Sequence, residues 1–255
     1  MNILFIGDVV GKPGRDYLTK NLGKIRKEYN VDFCIANGEN SAHGKSATVE
    51  TARQMFSAGV DFITMGNHTY NRNVEGLFDS FDNIIRPANY PAALPGNGFA
   101  IYDTGNFKIG IINLLARVYM DPIDSPFTLA KSIVSKIKND CNAIIIDFHG
   151  EVTSEKAALA HFMDGLVTAV IGTHTHVQTA DEIILPGETA FITDSGMTGV
   201  LDSILGIEKS IIIDRFANHI NRRFELAEGK VQFNGVLVSC DKDGKAKDIK
   251  RINIR

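Results

Sequence analysis

Five stretches of the chain set an acid, amide or imidazole side chain directly behind an apolar run. They are Gly7-Asp8 after NILFI, Asn37-Gly38-Glu39-Asn40 after DFCIA, and Gly66-Asn67-His68 after DFITM. Further on, Asp147, His149 and Glu151 fall in and after IIIDFH, and His174 and His176 sit in GTHTH after TAVIG. Short apolar runs of this kind read as buried strands. In α/β proteins, sites form at the carboxyl ends of strands, where loops converge. One histidine at a strand end is ordinarily a hydrogen-bonded structural residue. Five strand ends that each stop at glycine beside Asp, Glu, Asn or His indicate a metal site. A donor set of carboxylate, amide and imidazole without thiolate suits iron, manganese or zinc as divalent ions.

The spacing assigns directions. In an extended GTHTH, residues i and i+2 face one side, so His174 and His176 both reach one cluster. In an extended GNH, Asn67 and His68 face opposite sides, so Asn67 coordinates while His68 meets the substrate. Glu39 has two oxygens on a flexible stem, which suits a bridge between ions. Asp147 and Glu151 flank His149 as partners that orient ligands. His43, in SAHGKSAT, reads either as a substrate contact or as an exposed loop residue. Arg86 and Arg117 either touch substrate or brace their loops. His161 and His219 lie away from strand ends and read as structural, and Met197 has no chemical role assigned.

Two decoys are set aside. GDVVGKPG resembles a phosphate-binding loop, but it is one residue short, and Pro13 stands where a magnesium-binding hydroxyl belongs. What remains is a strand ending at Asp8, Gly7 and Gly11 making room for the cluster, a solvated Lys12, and Pro13 in the first turn of a helix. DKDGK has its glycine too early for a calcium loop and reads as a tight turn.

The elements that must position these residues alternate along the chain. Strands are expected at Asn2–Ile6, Val31–Ala36, Val60–Met65, Ala100–Tyr102, Lys108–Asn113, Ala143–Phe148, Val167–Ile171, Glu182–Leu185 and Thr189–Thr193. Helices are expected at Pro13–Tyr29, Thr48–Ser57 (stopped by Gly59), Val74–Phe81, Phe127–Asn139 and Ser154–Met163, with prolines marking IIRPANYP as loop. Val231–Ser239 and Ala246–Ile254 form a terminal hairpin. No linker or repeat interrupts the 255 residues, so one α/β domain over 1–255 is expected, its sheets carrying helices on their outer faces. The net charge of −3 gives no sign of a broad nucleic-acid or membrane-binding surface, although ions would supply local positive charge. Three scattered cysteines without CxxC spacing exclude a cysteine zinc site and a disulfide framework. With no signal peptide or membrane-spanning stretch, a cytoplasmic location fits.

GDVVG, NGEN, GNHT, FHGE and GTHTHVQT, in that order, resemble the motifs of the calcineurin-like metallophosphoesterases. The match is closer to the bacterial YmdB-like subfamily, through RPANYPAALPGNG, NLLARVYM, DFHGEVTSEK and GTHTHVQTADEIILPGETAFITDSGMTGVLDSILG. The subfamily shares this chain's departures from the general pattern, Val-Val after Asp8 and Glu39 in place of an aspartate. The resemblance implies a two-sheet sandwich with helices outside. It implies a first metal on Asp8, Glu39 and His176, and a second on Glu39, Asn67, His149 and His174. Asn40 would stand beside the first metal or the phosphate. Two divalent ions roughly 3.5–4 Å apart activate a bridging water and neutralise phosphate oxygens. His68 is the expected general acid, with positioning of Asn67 as its other reading. The implied activity is phosphodiester hydrolysis, with 2′,3′-cyclic nucleotides as substrates. A phosphomonoesterase and a regulatory nucleotide- or RNA-end-binding protein with weak turnover remain alternatives, and a homo-oligomer is left open. A barrel amidohydrolase is disfavoured, because its H-x-H belongs on the first strand.

Overall fold

The computed structural model describes residues 1–74 and 76–255. The first half contains β1 (Asn2–Ile6), β2 (Asp8–Val9), α1 (Gly11–Glu28), β3 (Phe33–Asn37), α2 (Val49–Ala58), β4 (Phe62–Thr64), α3 (Leu77–Ser80) and β5 (Ile84–Ile85). Next come β6 (Phe99–Asp103), β7 (Lys108–Leu115), α4 (Pro126–Ile137), β8 (Ala143–His149), α5 (Thr153–Phe162) and β9 (Ala169–Thr173). The remainder is β10 (Ile183–Ile184), β11 (Ala190–Ile192), β12 (Met197–Val200), α6 (Lys209–Asn218), β13 (Val231–Cys240) and β14 (Ala246–Ile254). Of the helix expected at Val74–Phe81, α3 is the part that forms, and Glu75 lies outside the described residues.

Two sheets result. One runs β2-β12-β13-β1-β3-β4-β5, with β14 also paired to β13; the other runs β10-β11-β9-β8-β7-β6. Strands β1, β3, β4 and β5 are parallel, as are β7, β8, β9 and β11. Parallel strands buried on both faces read as continuous apolar runs, and here the period of two sorts them. Ile3 and Phe5 of β1 enter the core between the sheets, with Ile145 of β8 and Ile171 of β9. Leu4 and Ile6 face outward under Leu18, Leu22 and Ile25 of α1. Ile144, Ile146 and Phe148 of β8 likewise face Ile133 and Val134 of α4 and Leu159 of α5. Each such large apolar side chain contributes about 1.5–3 kcal/mol by leaving water. The layers are therefore helix, sheet, sheet, helix.

Local signals explain the helix ends. Thr48 accepts from the Thr51 N–H (3.2 Å), and Thr51 Oγ1 accepts in return from the Thr48 N–H (2.9 Å), a reciprocal cap. Gly59 ends α2 at φ 107°, a conformation glycine adopts without steric cost. Four elements go beyond the sequence expectation: β2, β5, β12 and α6. Strand β12 lies in the glycine-flanked SGMTGV, where no alternation is visible. Helix α6 contains Ile211-Ile212-Ile213, a run that imitates a strand; its first two isoleucines are buried and Ile213 is exposed. The first residues of IIRPANYP form β5 against β4 before the loop begins. Among the described residues, no helix is long and apolar enough to cross a membrane.

Candidate metal centre

The ends of β1, β3, β4, β8 and β9 converge on one cleft. Asp8, just beyond β1, is fully buried and is fixed by its own N–H donating to the Gly196 carbonyl (2.9 Å). Beyond β3, the Asn37 side chain reaches back to accept from the Glu39 N–H (3.1 Å) while donating to Asp147 (3.0 Å). That bond turns Glu39 inward, where it is 1% exposed. Glu39 Oε2 accepts from the His68 N–H (2.8 Å), and Oε1 lies 3.0 Å from His149 Nε2.

Seven residues expected at metals come together in two lobes. Glu39, His149 and His174 offer ligand atoms all within 4.8 Å of one another. Asn67 Oδ1 joins them, 3.0 Å from His149 Nε2. In the other lobe, His176 Nε2 lies 3.6 Å from Asp8 Oδ1, with the Asn40 amide between. Asn40 Nδ2 donates to Asp8 (3.2 Å) and Glu39 (3.3 Å) and lies 3.1 Å from His176 Nε2, so it knits the lobes together.

The route by which the histidines arrive differs from the extended-strand expectation. β9 ends at Thr173, and His174 and His176 then take positive φ, 102° and 64°. Such values are uncommon outside glycine, with histidine among the residues that tolerate them. The two rings therefore do not share a side by alternation. His174 Nδ1 faces His149 (3.0 Å), while His176 is aimed at Asp8 and Asn40. GNH is also a turn rather than a strand: the Thr69 hydroxyl donates to the Gly66 carbonyl (2.6 Å), and His68 lies 2.7 Å from the Asn71 amide through Nδ1. Glycine's role is relocated as well. A side chain at Gly7 would strike the Gly196 carbonyl at 2.1 Å, and one at Gly11 would strike Leu226, so neither makes room for the cluster. Gly66 does, because a Cβ there would stand 2.3 Å from Glu39 Oε2 and 2.6 Å from His149 Nε2.

Each clustered histidine has its second nitrogen tied back. His149 Nδ1 meets Thr173 Oγ1 (2.9 Å), His174 Nε2 meets Glu151 (3.2 Å), and His176 Nδ1 meets the Leu205 carbonyl (3.1 Å). This is how imidazole ligands are oriented in metal sites. The chemistry fits a cation. The Thr173 hydroxyl gives its proton to Asp147 (2.6 Å), so it accepts from His149 Nδ1–H. Were Nε2 bare, His149 would present a lone pair to Glu39 Oε1, Asn67 Oδ1 and His174 Nδ1, atoms that are themselves acceptors, so the contact calls for a proton or a cation there. Electrostatics point the same way. Burial disfavours a charged His149, yet Glu39, then Asp8 and Asp147, push it up to about 9. The carboxylates demand positive charge, from a proton or a metal ion. Burial also works against Glu39's charge, but His149 more than offsets it and holds Glu39 down at about 2. Burial, followed by the charge of His149, pushes His174 down to about 3, the neutral form that binds metal.

Other expected residues fall elsewhere. His43 is exposed in a neighbouring trough, outside the cluster. Arg86 is buried and donates to the carbonyls of Pro87, Ala88, Tyr90 and Gly96, so it braces its loop. Two residues not singled out by their sequence context hold the histidine loop. Lys156, on α5 and 1% exposed, donates to the Thr173 carbonyl (2.7 Å) and to Asp194 (2.8 Å). Asp194 in turn accepts from the N–H groups of Thr175 (3.0 Å) and Gly196 (2.9 Å). Above the cluster lies a cavity of about 420 Å³, lined by Glu39, Asn40, His68, Glu151, His174 and His176, with Leu205 and Phe216 on its apolar wall.

Known proteins share both architecture and sequence. A 2′,3′-cyclic-nucleotide 2′-phosphodiesterase of Bacillus subtilis (strain 168) is 45% identical over 256 residues, covering 100% of this chain and 97% of that protein. The crystal structure of a phosphatase from Mycoplasma pneumoniae superposes with a TM-score of 0.93 at 35% identity, over 100% of this chain and 93% of that one. A 5′-nucleotidase precursor from Thermus thermophilus, 12% identical with a TM-score of 0.61 over 54% of its length, shares the metallophosphoesterase fold alone. The profile of YmdB-like proteins matches residues 4–252, from β1 into β14, and so spans every strand end that feeds the cleft. On that match and the identity to the Bacillus protein, the chain belongs to the family of YmdB-like proteins.

Proposed function

We propose that the protein is a metal-dependent phosphodiesterase acting on 2′,3′-cyclic nucleotides, with one catalytic unit over residues 1–255. The observation that carries the metal reading is the trio of histidines, each tied back through one nitrogen, with the other turned into the cluster: His149 towards Glu39, His176 towards Asp8 and His174 towards His149. Similarity to the Bacillus subtilis enzyme supports the reaction and the substrate class. Asp8, Glu39 and His176 would hold one divalent ion, and Glu39, Asn67, His149 and His174 a second, with Asn40 beside the first; iron or manganese suits these donors, and zinc is the third choice. Bound there, divalent ions supply Lewis acidity, acidifying water and withdrawing charge from phosphate oxygens.

The chain's own residues do the rest. Glu39 is held ionised, and His174 neutral, before any ligand arrives. The cavity takes a nucleotide-sized ligand against its apolar wall. Water's oxygen joins phosphorus and releases one proton to solvent, one ester P–O bond breaks, and the leaving oxygen takes a proton from His68, which regains one from solvent, yielding a monoester. His68 lines the cavity, and its backbone N–H is anchored on Glu39, so its ring is placed beside the cluster. The three cysteines are free, which supports a reducing compartment such as the cytoplasm.

The test pairs metal analysis with hydrolysis on one sample. Wild-type protein is expected to carry metal and to cleave 2′,3′-cyclic nucleotides, with an aryl phosphodiester preferred over the aryl monoester. Glu39→Gln is expected to lose metal and turnover together. A fully metallated, active Glu39→Gln would refute the bridging role. Faster cleavage of the monoester would instead favour a phosphomonoesterase, the reading supported by the similarity to the Mycoplasma phosphatase.

A further inference from the structure

The cavity over the cluster does not end at its wall. Lys45, Arg215 and Phe224 line both it and a neighbouring trough of about 850 Å³. Arg72, Arg222 and Arg223 also line the trough, giving, among the described residues, five lysine and arginine side chains against one carboxylate, Glu225. In a chain of net charge −3, that is a concentration of positive charge against the overall balance. One of the five, Arg222, is compensated by Asp214 at 2.8 Å. The Phe224 ring is flanked by the other charges, with Lys45 Nζ 6.0 Å and Arg215 Cζ 5.5 Å from its centre. Phe216, on the cluster side of this junction, is 77% exposed.

A cyclic mononucleotide has no use for the trough. It carries one negative charge, on the phosphate that belongs at the cluster. A basic groove interleaved with exposed aromatic rings suits a single-stranded nucleic acid, whose backbone phosphates follow the cations while its bases stack on the rings. A 2′,3′-cyclic phosphate requires a 2′-hydroxyl, so the strand is RNA. Resting on the phosphodiesterase reading, we propose that the trough binds the 3′-terminal nucleotides of single-stranded RNA and presents the terminal phosphate to the Glu39–His149–His174 cluster.

Binding is measured first, on protein with its metal as purified. The probe is a short fluorescein-labelled oligoribonucleotide ending in a 3′-phosphate, one of the ends that ring opening leaves, with nucleoside 3′-monophosphate as the competitor. The oligonucleotide is expected to bind at least about tenfold tighter. With about three phosphates engaged, its affinity should fall with salt at a log–log slope of about −2. Arg72→Ser combined with Arg223→Ser should weaken the oligonucleotide about tenfold while metal content stays constant, and Phe216→Ala should weaken it by a similar factor. Equal affinity for oligonucleotide and mononucleotide, or a double variant that binds RNA as the wild type does, overturns the proposal. So does a dimer, seen by light scattering, that Phe216→Asp converts to a monomer with RNA binding unchanged: the exposed ring would then belong to an interface between copies. Turnover of cyclic mononucleotide and cyclic-ended oligonucleotide is followed on the same samples. Turnover without an oligonucleotide preference removes the trough alone. Tight RNA binding without turnover of either substrate removes the phosphodiesterase reading and keeps the trough.

Discussion

His174 and His176 depart from extended backbone at the point where the ladder of β9 ends, and that departure splits them between two lobes. Gly66 is the complementary residue, because a methyl group there would occupy the space between Glu39 and His149. Gly66→Ala is therefore expected to fold but to lose most of its metal, as read by metal analysis beside an unchanged far-ultraviolet spectrum. His68 makes a different prediction. Burial pushes its pKa below the ordinary histidine value, against the opposing pull of Glu39. Its proton-bearing form is then the minority at neutral pH, and its population rises as pH falls. Turnover of substrates with poor leaving groups should rise from mildly alkaline towards mildly acidic pH, as long as the metal stays bound. His68→Ala should keep its metal, lose about 10²–10⁴-fold in turnover, and show no such rise. Equal losses for good and poor leaving groups would point to positioning of Asn67 instead. Asp8, Glu39, Asn67, His149, His174 and His176 stand out in the sequence because each ends or follows an apolar run and has a glycine close by. Thr173 does not, since a threonine at a strand end is ordinary until its hydroxyl is seen between His149 and Asp147.

Among the elements, α5 does more than cover a sheet. It carries Lys156 beneath the histidine loop, where the ammonium meets both the last carbonyl of β9 and Asp194. A lysine in an amphipathic helix reads as solvated, so the sequence hides this role; only packing shows the side chain fully enclosed. Removing one partner of a buried pair leaves a buried charge uncompensated, at a cost of about 3–5 kcal/mol. Lys156→Met should lower the melting temperature by roughly 10 °C, taking about 2–4 °C per kcal/mol for a chain of this size. It should also weaken metal retention, which a purely global destabilisation would not do at temperatures well below melting. Helix α6 was hidden for the opposite reason. Its three isoleucines suggest a strand, and only burial of Ile211 and Ile212 on one side reveals the helical stripe. The long parallel strands were legible because they are apolar on both faces, whereas β2 and β5 are two-residue pairings, and β2 depends on β12, a neighbour far along the chain.

On the scale of the whole molecule, the cluster is a clamp between sheets. Asp8, Glu39 and Asn67 follow strands of the first sheet, while His149 and His174 come from the second. Metal held there, as proposed, would link the two layers in the native state alone. At a free concentration 100 times its dissociation constant, such a ligand adds about 2.7 kcal/mol. Chelation should therefore lower the melting temperature by roughly 5–10 °C, and Glu39→Gln should show little further change on chelation. If chelation moves wild type and variant equally, the ions do not bridge the layers through Glu39.

The position of β13 adds a constraint in time. This strand lies between β1 and β12, so the first sheet is closed only by residues near the carboxyl terminus. Strand β12 in turn supports Asp8 through the Gly196 carbonyl at its edge and through pairing with β2. During synthesis, Asp8 precedes by a long stretch of chain the Gly196 carbonyl and the β12 strand that support it. The surroundings of Asp8 are thus built from both ends of the fold, and an ion held there would meet its site only after β12 and β13 have joined β1.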